Sequence, residues 1–391
     1  MVGFTFFLLA ISACSPAKLP GTWESLDTGT GDAFYSINFV NDTVGWANGQ
    51  TDRDYVSPED AQNANSNSNA AGNKNSNNRN SNRASTNAAS NRNSNSAAND
   101  PLKANQGFEV LQTTDGGKTW TQIKDQFKYK IRSVWFVDPQ TGWALTIDRD
   151  ILHTTDGGAN WITQRLAHTV KYKQEWNRQT PEIDLPEQID HVRFIDAQHG
   201  WAWGGGRKED FGEQPGVLLT TVNGGQNWNE VPFPFPQNVQ SMFFLDSRHA
   251  WASTKEGLFS SGDGGLNWAK VQTRLPENAF NAMFFTDDKT GFVVGRSGRM
   301  ARTTDGGRSW WKMVDIKNEF VMRDIYFADK DHGWAVGDNG AILYTADSGT
   351  TWVSFEAEVP AKLTNITFVN PRAGWIAGLD GAVLRFEPAA R

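Results

Sequence analysis

Thr113-Thr114-Asp115-Gly116-Gly117-Lys118-Thr119-Trp120 decides the fold, because the chain repeats it. Variants stand at Thr154–Trp161, Thr220–Trp228, Ser260–Trp268, Thr303–Trp310 and Thr345–Trp352, six copies in all. From Trp228 onward the closing tryptophans are 40, 42 and 42 residues apart. A period near forty, filled with short apolar runs, is the signature of a radial β array.

One repeat, Phe280–Trp310, shows the unit. Phe280–Phe285 is an apolar, aromatic run and reads as a strand. Asp287–Thr290 is a turn and Gly291–Gly295 a second strand. Arg296–Gly298 turns again before a third strand, Arg299–Thr304. Asp305-Gly306-Gly307 is a hairpin turn, where Gly supplies positive φ and the Asp carboxylate accepts backbone N–H groups. Trp310 opens a fourth strand. Each repeat is therefore a four-stranded antiparallel blade.

Second-strand signatures recur at Gly45-Trp46, Gly142-Trp143, Gly200-Trp201, Ala250-Trp251, Gly291-Phe292, Gly333-Trp334 and Gly374-Trp375. That makes seven second strands against six turn phrases. The seventh blade begins at Leu363 and runs out at Phe386, one strand short. The missing strand is found at the other end, as Gly21-Thr22-Trp23-Glu24-Ser25. The fold class expected is all-β: a seven-bladed β-propeller of four-stranded antiparallel blades over residues 21–386, closed by the N-terminal strand completing the last blade. Closure removes exposed sheet edges.

The phrase Ser/Thr-x-Asp-x-Gly-x-x-Trp resembles the Asp-box, or bacterial neuraminidase repeat. Its structural acidic positions are Asp115, Asp156, Asp263, Asp305 and Asp347, with Asn223 standing in for Asp in the third copy. Combined with Gly-Trp-Ala-Val-Gly at Gly333–Gly337, the pattern resembles the photosystem II stability/assembly factor family of seven-bladed propellers. The resemblance implies assistance to assembly or stability of a membrane protein complex. Asp-boxes are carried by enzymes, receptors and scaffolds alike, so activity does not follow from the fold.

The net charge of −7 argues against nucleic acid as a main partner. Cys14, the single cysteine, follows an apolar run, Val2–Ile11. That run is too short to span a membrane and reads as a signal-peptide core. Residues 1–14 resemble a bacterial lipoprotein signal ending at a lipidated Cys14. The expectation is an exported, membrane-tethered envelope protein. Ser15 after the cysteine points to the outer membrane in a cell with two membranes. No Lys or Arg precedes the apolar run, a departure from the usual signal. Residues 55–106 form an insertion within blade one whose Ala61–Asp100 core is almost entirely Asn, Ser and Ala. Such a composition buries no apolar surface and is expected to be disordered.

Within a blade, the turn between strands one and two shares a face with the Asp-box turn. The loop between strands two and three lies on the other face. Three insertions, Gln50–Gln106, Leu166–Gln188 and Gly204–Pro215, all fall on that other face, over blades one to three. Loops on a rigid scaffold are where function concentrates, which makes this face the expected interaction surface. Thirteen of the seventeen tryptophans hold repeat positions and read as framework. Trp176 does not; in its insertion with Tyr172, Glu175 and Arg178 it is a candidate contact, since aromatics and Arg anchor interfaces. Its alternative is a side chain pinning the loop to the blade.

Aligning the first strands exposes a second candidate. Just inside each start stands Tyr35, Arg132, Asp190, Gln240, Asn281, Arg323 or Thr364, with apolar residues two and four places on. This polar ring is expected near the channel mouth, on the insertion face, with His191 and Asp324 beside it. A merely hydrated channel is the plainer reading. The partner-binding candidates are thus Arg132, Asp190, His191, Arg323, Tyr172, Trp176 and Arg178. His199, His249 and His332 occupy equivalent turn positions in three blades, so no metal site is expected. No catalytic residue or cofactor is indicated.

Two functions follow. The first is a non-catalytic, monomeric propeller scaffold that holds a protein partner, a membrane complex, at a membrane surface. The alternative is a sialidase-like glycoside hydrolase or glycan-binding propeller. Sialidases resemble one another in an Arg triad and an early Arg-Ile-Pro; here the ring offers Arg132 and Arg323 and no third, and Arg-Ile-Pro is absent.

Overall fold

The alternation along each first strand dictates how the sheets sit. In Ile131–Phe136, Ile131, Val134 and Phe136 are buried, whereas Arg132, Ser133 and Trp135 are half-exposed. One side of the strand enters a blade interface and the other lines a central channel. The computed structural model describes residues 20–30, 33–50, 109–123, 131–167, 169–172, 183–186, 189–204, 208–209, 212–213, 216–232, 235, 239–273, 275, 280–313, 320–356, 361–379 and 381–389. Cys14 and residues 55–106 lie outside them.

Seven four-stranded antiparallel sheets follow one another in chain order. The last contains Leu363–Asn370, Ala373–Gly378 and Val383–Pro388, and its fourth strand is Gly21–Leu26. Six residue pairs, from Gly21 with Pro388 to Leu26 with Val383, close the ring. Trp23 sits edge-on to Phe368, with ring centroids 5.8 Å apart. Trp120, Trp161, Trp228, Trp310 and Trp352 approach the equivalent phenylalanines of their own blades in the same edge-on way.

The blades are joined by a ring of stacked aromatic pairs. The second-strand aromatic of each blade lies flat on the last phenylalanine of the next blade's first strand. Trp46 on Phe136, Trp143 on Phe194, Trp251 on Phe285 and Trp375 on Phe39 have centroids 3.6, 3.4, 3.5 and 3.5 Å apart. Trp201 on Phe244, Phe292 on Phe327 and Trp334 on Phe368 complete the circuit. Each pair contributes about 0.5–1.5 kcal/mol beyond the area it buries. A Cβ on Gly142 would come within 2.5 Å of the Phe136 ring, which explains the Gly before the second-strand aromatic.

The Asp-box turns behave as their chemistry requires. Thr154 Oγ1 accepts the Gly158 N–H at 3.0 Å and donates to Asp156 Oδ1 at 2.8 Å. Gly157 and Gly158 take φ of 73° and 94°, where a side chain would be strained. In the third and fourth copies the bridging hydroxyls are Thr221 and Ser261, one residue later than the phrase starts Thr220 and Ser260. The tryptophan indoles then tie one blade to the next box. Trp143, Trp201, Trp251 and Trp375 donate to the carbonyls of Gly224, Gly264, Gly306 and Gly116. Among the described residues the buried Nε1 atoms of Trp334, which faces the boxless blade seven, and of Trp46, which faces the box of blade two, have no acceptor.

Candidate functional site

The two faces of the ring are fixed by backbone bonds. Gly116, Gly157, Gly224, Gly264 and Gly306 each donate an N–H into the turn between strands one and two, uniting those turns with the Asp-boxes. On the other face, turns between strands two and three meet the start of the next blade: Gly298 and Gly340 donate to the carbonyls of Phe320 and Ala361. The insertions expected as plain loops on this face form two-stranded ribbons, Thr169–Tyr172 with Ile183–Pro186 and Lys208–Glu209 with Gly212–Glu213. Tyr172 ends the first ribbon strand, opposite Ile183. Trp176 and Arg178 lie outside the described residues.

The polar ring has a structural cause. Tyr35, Arg132, Gln240, Asn281, Arg323 and Thr364 are each skipped in the pairing of first and second strands, so each is the extra residue of a β-bulge. A bulge leaves its residue unpaired and re-aims the side chain. In blade three Asp190 takes that place just ahead of His191–Phe194, its N–H bonded to Trp203 O at 2.9 Å. Some ring members serve the blade seams. Thr364 Oγ1 donates to Phe34 O at 2.8 Å and Asn281 Nδ2 to Met322 O at 3.0 Å, each in the next blade.

The charged members gather on one aspartate. Asp190 Oδ1 lies 3.1 Å from Arg132 Nη1 and 2.8 Å from Arg149 Nη1. Arg149 also donates to Ile189 O at 3.0 Å. Asp190 is nearly buried, while the Arg132 side chain keeps 28% of its surface exposed. Two guanidiniums thus meet on one carboxylate at this mouth. His191 is exposed and stacks on Trp203 at 5.0 Å. Arg323 is engaged elsewhere: it pairs with Asp338 in its own blade, three blades round the ring from Arg132. Arg132 and Arg323 therefore serve two separate ion pairs.

Sequence reasoning missed Arg149 and Arg193. Arg149 occupies the turn between strands two and three of blade two with φ of 73°, where blades five and six place Ser297 and Asn339. An arginine in a conformation that favours Gly or Asn is the signal that was there to read. Arg193 lies deeper in the channel, its guanidinium 4.0 Å from the centroid of the Trp135 ring. Burial lowers its pKa, opposed by Asp324 and Tyr326. Asp324 Oδ2 accepts Asn365 Nδ2 at 2.6 Å and the Ile366 N–H at 2.9 Å, and Oδ1 the Ile325 N–H at 2.9 Å. Desolvation outweighs these bonds and pushes its pKa up to about 6.

The turn histidines are accounted for as expected. His199, His249 and His332 place Nδ1 2.9, 2.9 and 2.8 Å from Asp196, Asp246 and Asp329, three residues earlier. Among the described residues no group of three or more metal-ligating side chains converges.

The fold and its seams define a class: a seven-bladed propeller built from BNR repeats. The family model for photosynthesis system II assembly factor YCF48 matches residues 221–315 and 311–387. The solved structure of YCF48 bound to D1 peptide is similar over 95% of this chain and 96% of that one, with 19% identity and a TM-score of 0.62. YCF48 from Cyanidioschyzon merolae is similar over 93% of this chain and 98% of its own, with 18% identity and a TM-score of 0.61. A virginiamycin B lyase from Staphylococcus aureus reaches 0.60 at 9% identity, over 94% of this chain and 99% of that one. At such identities these likenesses speak for the fold alone. No curated protein matches the sequence. Over residues 221–387 the repeats are similar to the YCF48-type family of BNR propellers, as the sequence pattern implied.

Proposed function

We propose that this protein is a non-catalytic scaffold that captures a segment of a protein partner at the channel mouth opposite the Asp-boxes. The observation that carries the reading is the sharing of Asp190 by Arg132 and Arg149. The part-exposed Arg132 guanidinium suits an acidic segment. Ribbons from blades two and three rise on the same face and would flank the segment. That a solved YCF48 carries a D1 peptide supports a protein partner for this relative. We infer further that the partner belongs to a membrane protein complex whose assembly or stability is assisted. Lipidation at Cys14 would hold the propeller beside it in the cell envelope.

The test is affinity capture of the tagged full-length protein from gently solubilised native membranes, followed by mass spectrometry. A membrane-complex subunit should be recovered with the unaltered protein and lost with Arg132→Glu, which leaves Arg149 on Asp190, at a melting temperature near the parent's. Equal recovery with this variant would move the site away from this mouth. Removing residues 166–188 should likewise abolish capture and leave the melting temperature near that of the parent.

A further inference from the structure

The channel-facing position before the last phenylalanine of each first strand is occupied by Asn38, Trp135, Arg193, Phe243, Phe284, Tyr326 and Thr367. Three of these bond to the next blade's terminal phenylalanine. Asn38 Oδ1 accepts the Phe136 N–H at 2.9 Å, Trp135 Nε1 donates to Phe194 O at 2.8 Å, and Tyr326 Oη donates to Phe368 O at 2.8 Å. Arg193 breaks the pattern. It turns back to lie over Trp135 and, among the described residues, has neither a hydrogen-bond acceptor nor a direct ion pair. Its half-buried guanidinium is left open to the channel, and its planar fork matches a carboxylate.

The surroundings add an apolar wall. Onward from Arg193, Phe243 and Phe284 have ring centroids 5.1 Å apart, and Phe284 and Tyr326 4.9 Å. All three rings are half-buried, facing the channel. A cation in the same channel-facing register as a run of aromatic rings offers the mix of apolar surface and one charged group that small-molecule sites use. Asp324, the acidic group that acts on Arg193 through space, already accepts three N–H bonds.

We propose that Arg193 is an anion site within the channel, taking the carboxylate of a small aromatic acid whose ring packs on Phe243 and Phe284. This site lies towards the Asp-box end of the channel and does not rest on the partner reading, which concerns the other mouth. Benzoate is the probe and benzamide its neutral counterpart, each titrated into the full-length protein by calorimetry at neutral pH. Saturable benzoate binding, at least about tenfold tighter than benzamide, is expected from a bidentate charged contact. Arg193→Gln should remove that preference, and Arg193→Lys, which keeps charge without the fork or the stacking, should retain only part of it. Benzoate binding no better than benzamide overturns the proposal whether or not the variants fold. So does a benzoate affinity lost in Arg132→Gln and unchanged in Arg193→Gln, which would place the anion at the mouth.

Discussion

Asp156 and Asp324 are the same side chain in opposite surroundings. Asp156, on the Asp-box rim, is held down to about 2, first by the Asn160 side chain, then by the Asn160 and Thr154 bonds. Asp324, in the channel wall, is pushed up to about 6 because burial outweighs three N–H donors and the Arg193 charge. The rim carboxylate belongs to a repeated turn whose hydrogen bonds favour its ionised form. The channel carboxylate stands at a position filled in other blades by Ser36, Ser133, His191, Ser241, Ala282 and Asn365. The rim is built for stability and repeats; the channel departs from the repeat and carries strain of an electrostatic kind.

Experiments can break this division, and the largest effect should come from the framework. Trp143→Ala removes a fully buried ring from a blade seam, with its stack on Phe194 and its bond to Gly224 O. A loss of about 3–5 kcal/mol in denaturant unfolding is expected. A loss under about 1 kcal/mol would mean that the aromatic circuit does not hold the blades together.

The two carboxylates should then separate in pH-dependent stability. Asp324 has a folded-state pKa above its unfolded value, so its contribution is complete below about 4 and is lost as pH rises through about 6. Replacing it with Asn should flatten the stability profile between those limits, by about 2–3 kcal/mol. Asp156 has a depressed folded value, so its contribution is present above about 4 and is lost as pH falls through about 2. Asp156→Ala should lower stability at neutral pH, as loss of a turn-capping side chain does, and should reduce acid sensitivity. Parallel pH profiles for both variants would erase the contrast.

The smallest effect on stability, and the largest on binding, is expected at the mouth. Arg132 is part-exposed and leaves Arg149 on Asp190 when replaced. Arg132→Glu should shift unfolding by under about 0.5 kcal/mol. Its partner affinity should fall by about ten- to a hundredfold, more at low salt than at high. A melting temperature that drops with affinity would make Arg132 a seam residue, as Asn281 and Thr364 proved to be.

Much of this was legible beforehand because repetition averages out local ambiguity. A Gly-aromatic pair at seven places and a turn phrase at six fix blade count, closure and the role of thirteen tryptophans before any contact is known. The aligned first strands also located the ring of polar residues at the bulges. Repetition could not say which ring members bond across a seam and which reach the mouth. Asn281 and Thr364 look as available as Arg132 in the alignment. Arg193 was readable as a charge among Trp135, Phe243, Phe284 and Tyr326, but only if the channel-facing positions were aligned as a set.

The sequence by itself determined the seven-bladed β-propeller, because turn chemistry and strand alternation act over a few residues and recur. Tertiary structure alone decided that Arg149 joins Arg132 on Asp190, that Arg323 turns to Asp338, and that Arg193 meets Trp135. Those pairings depend on which residues of successive blades arrive at the same height in the channel. Ring closure and the β-bulges set that height, and no local rule along the chain carries it.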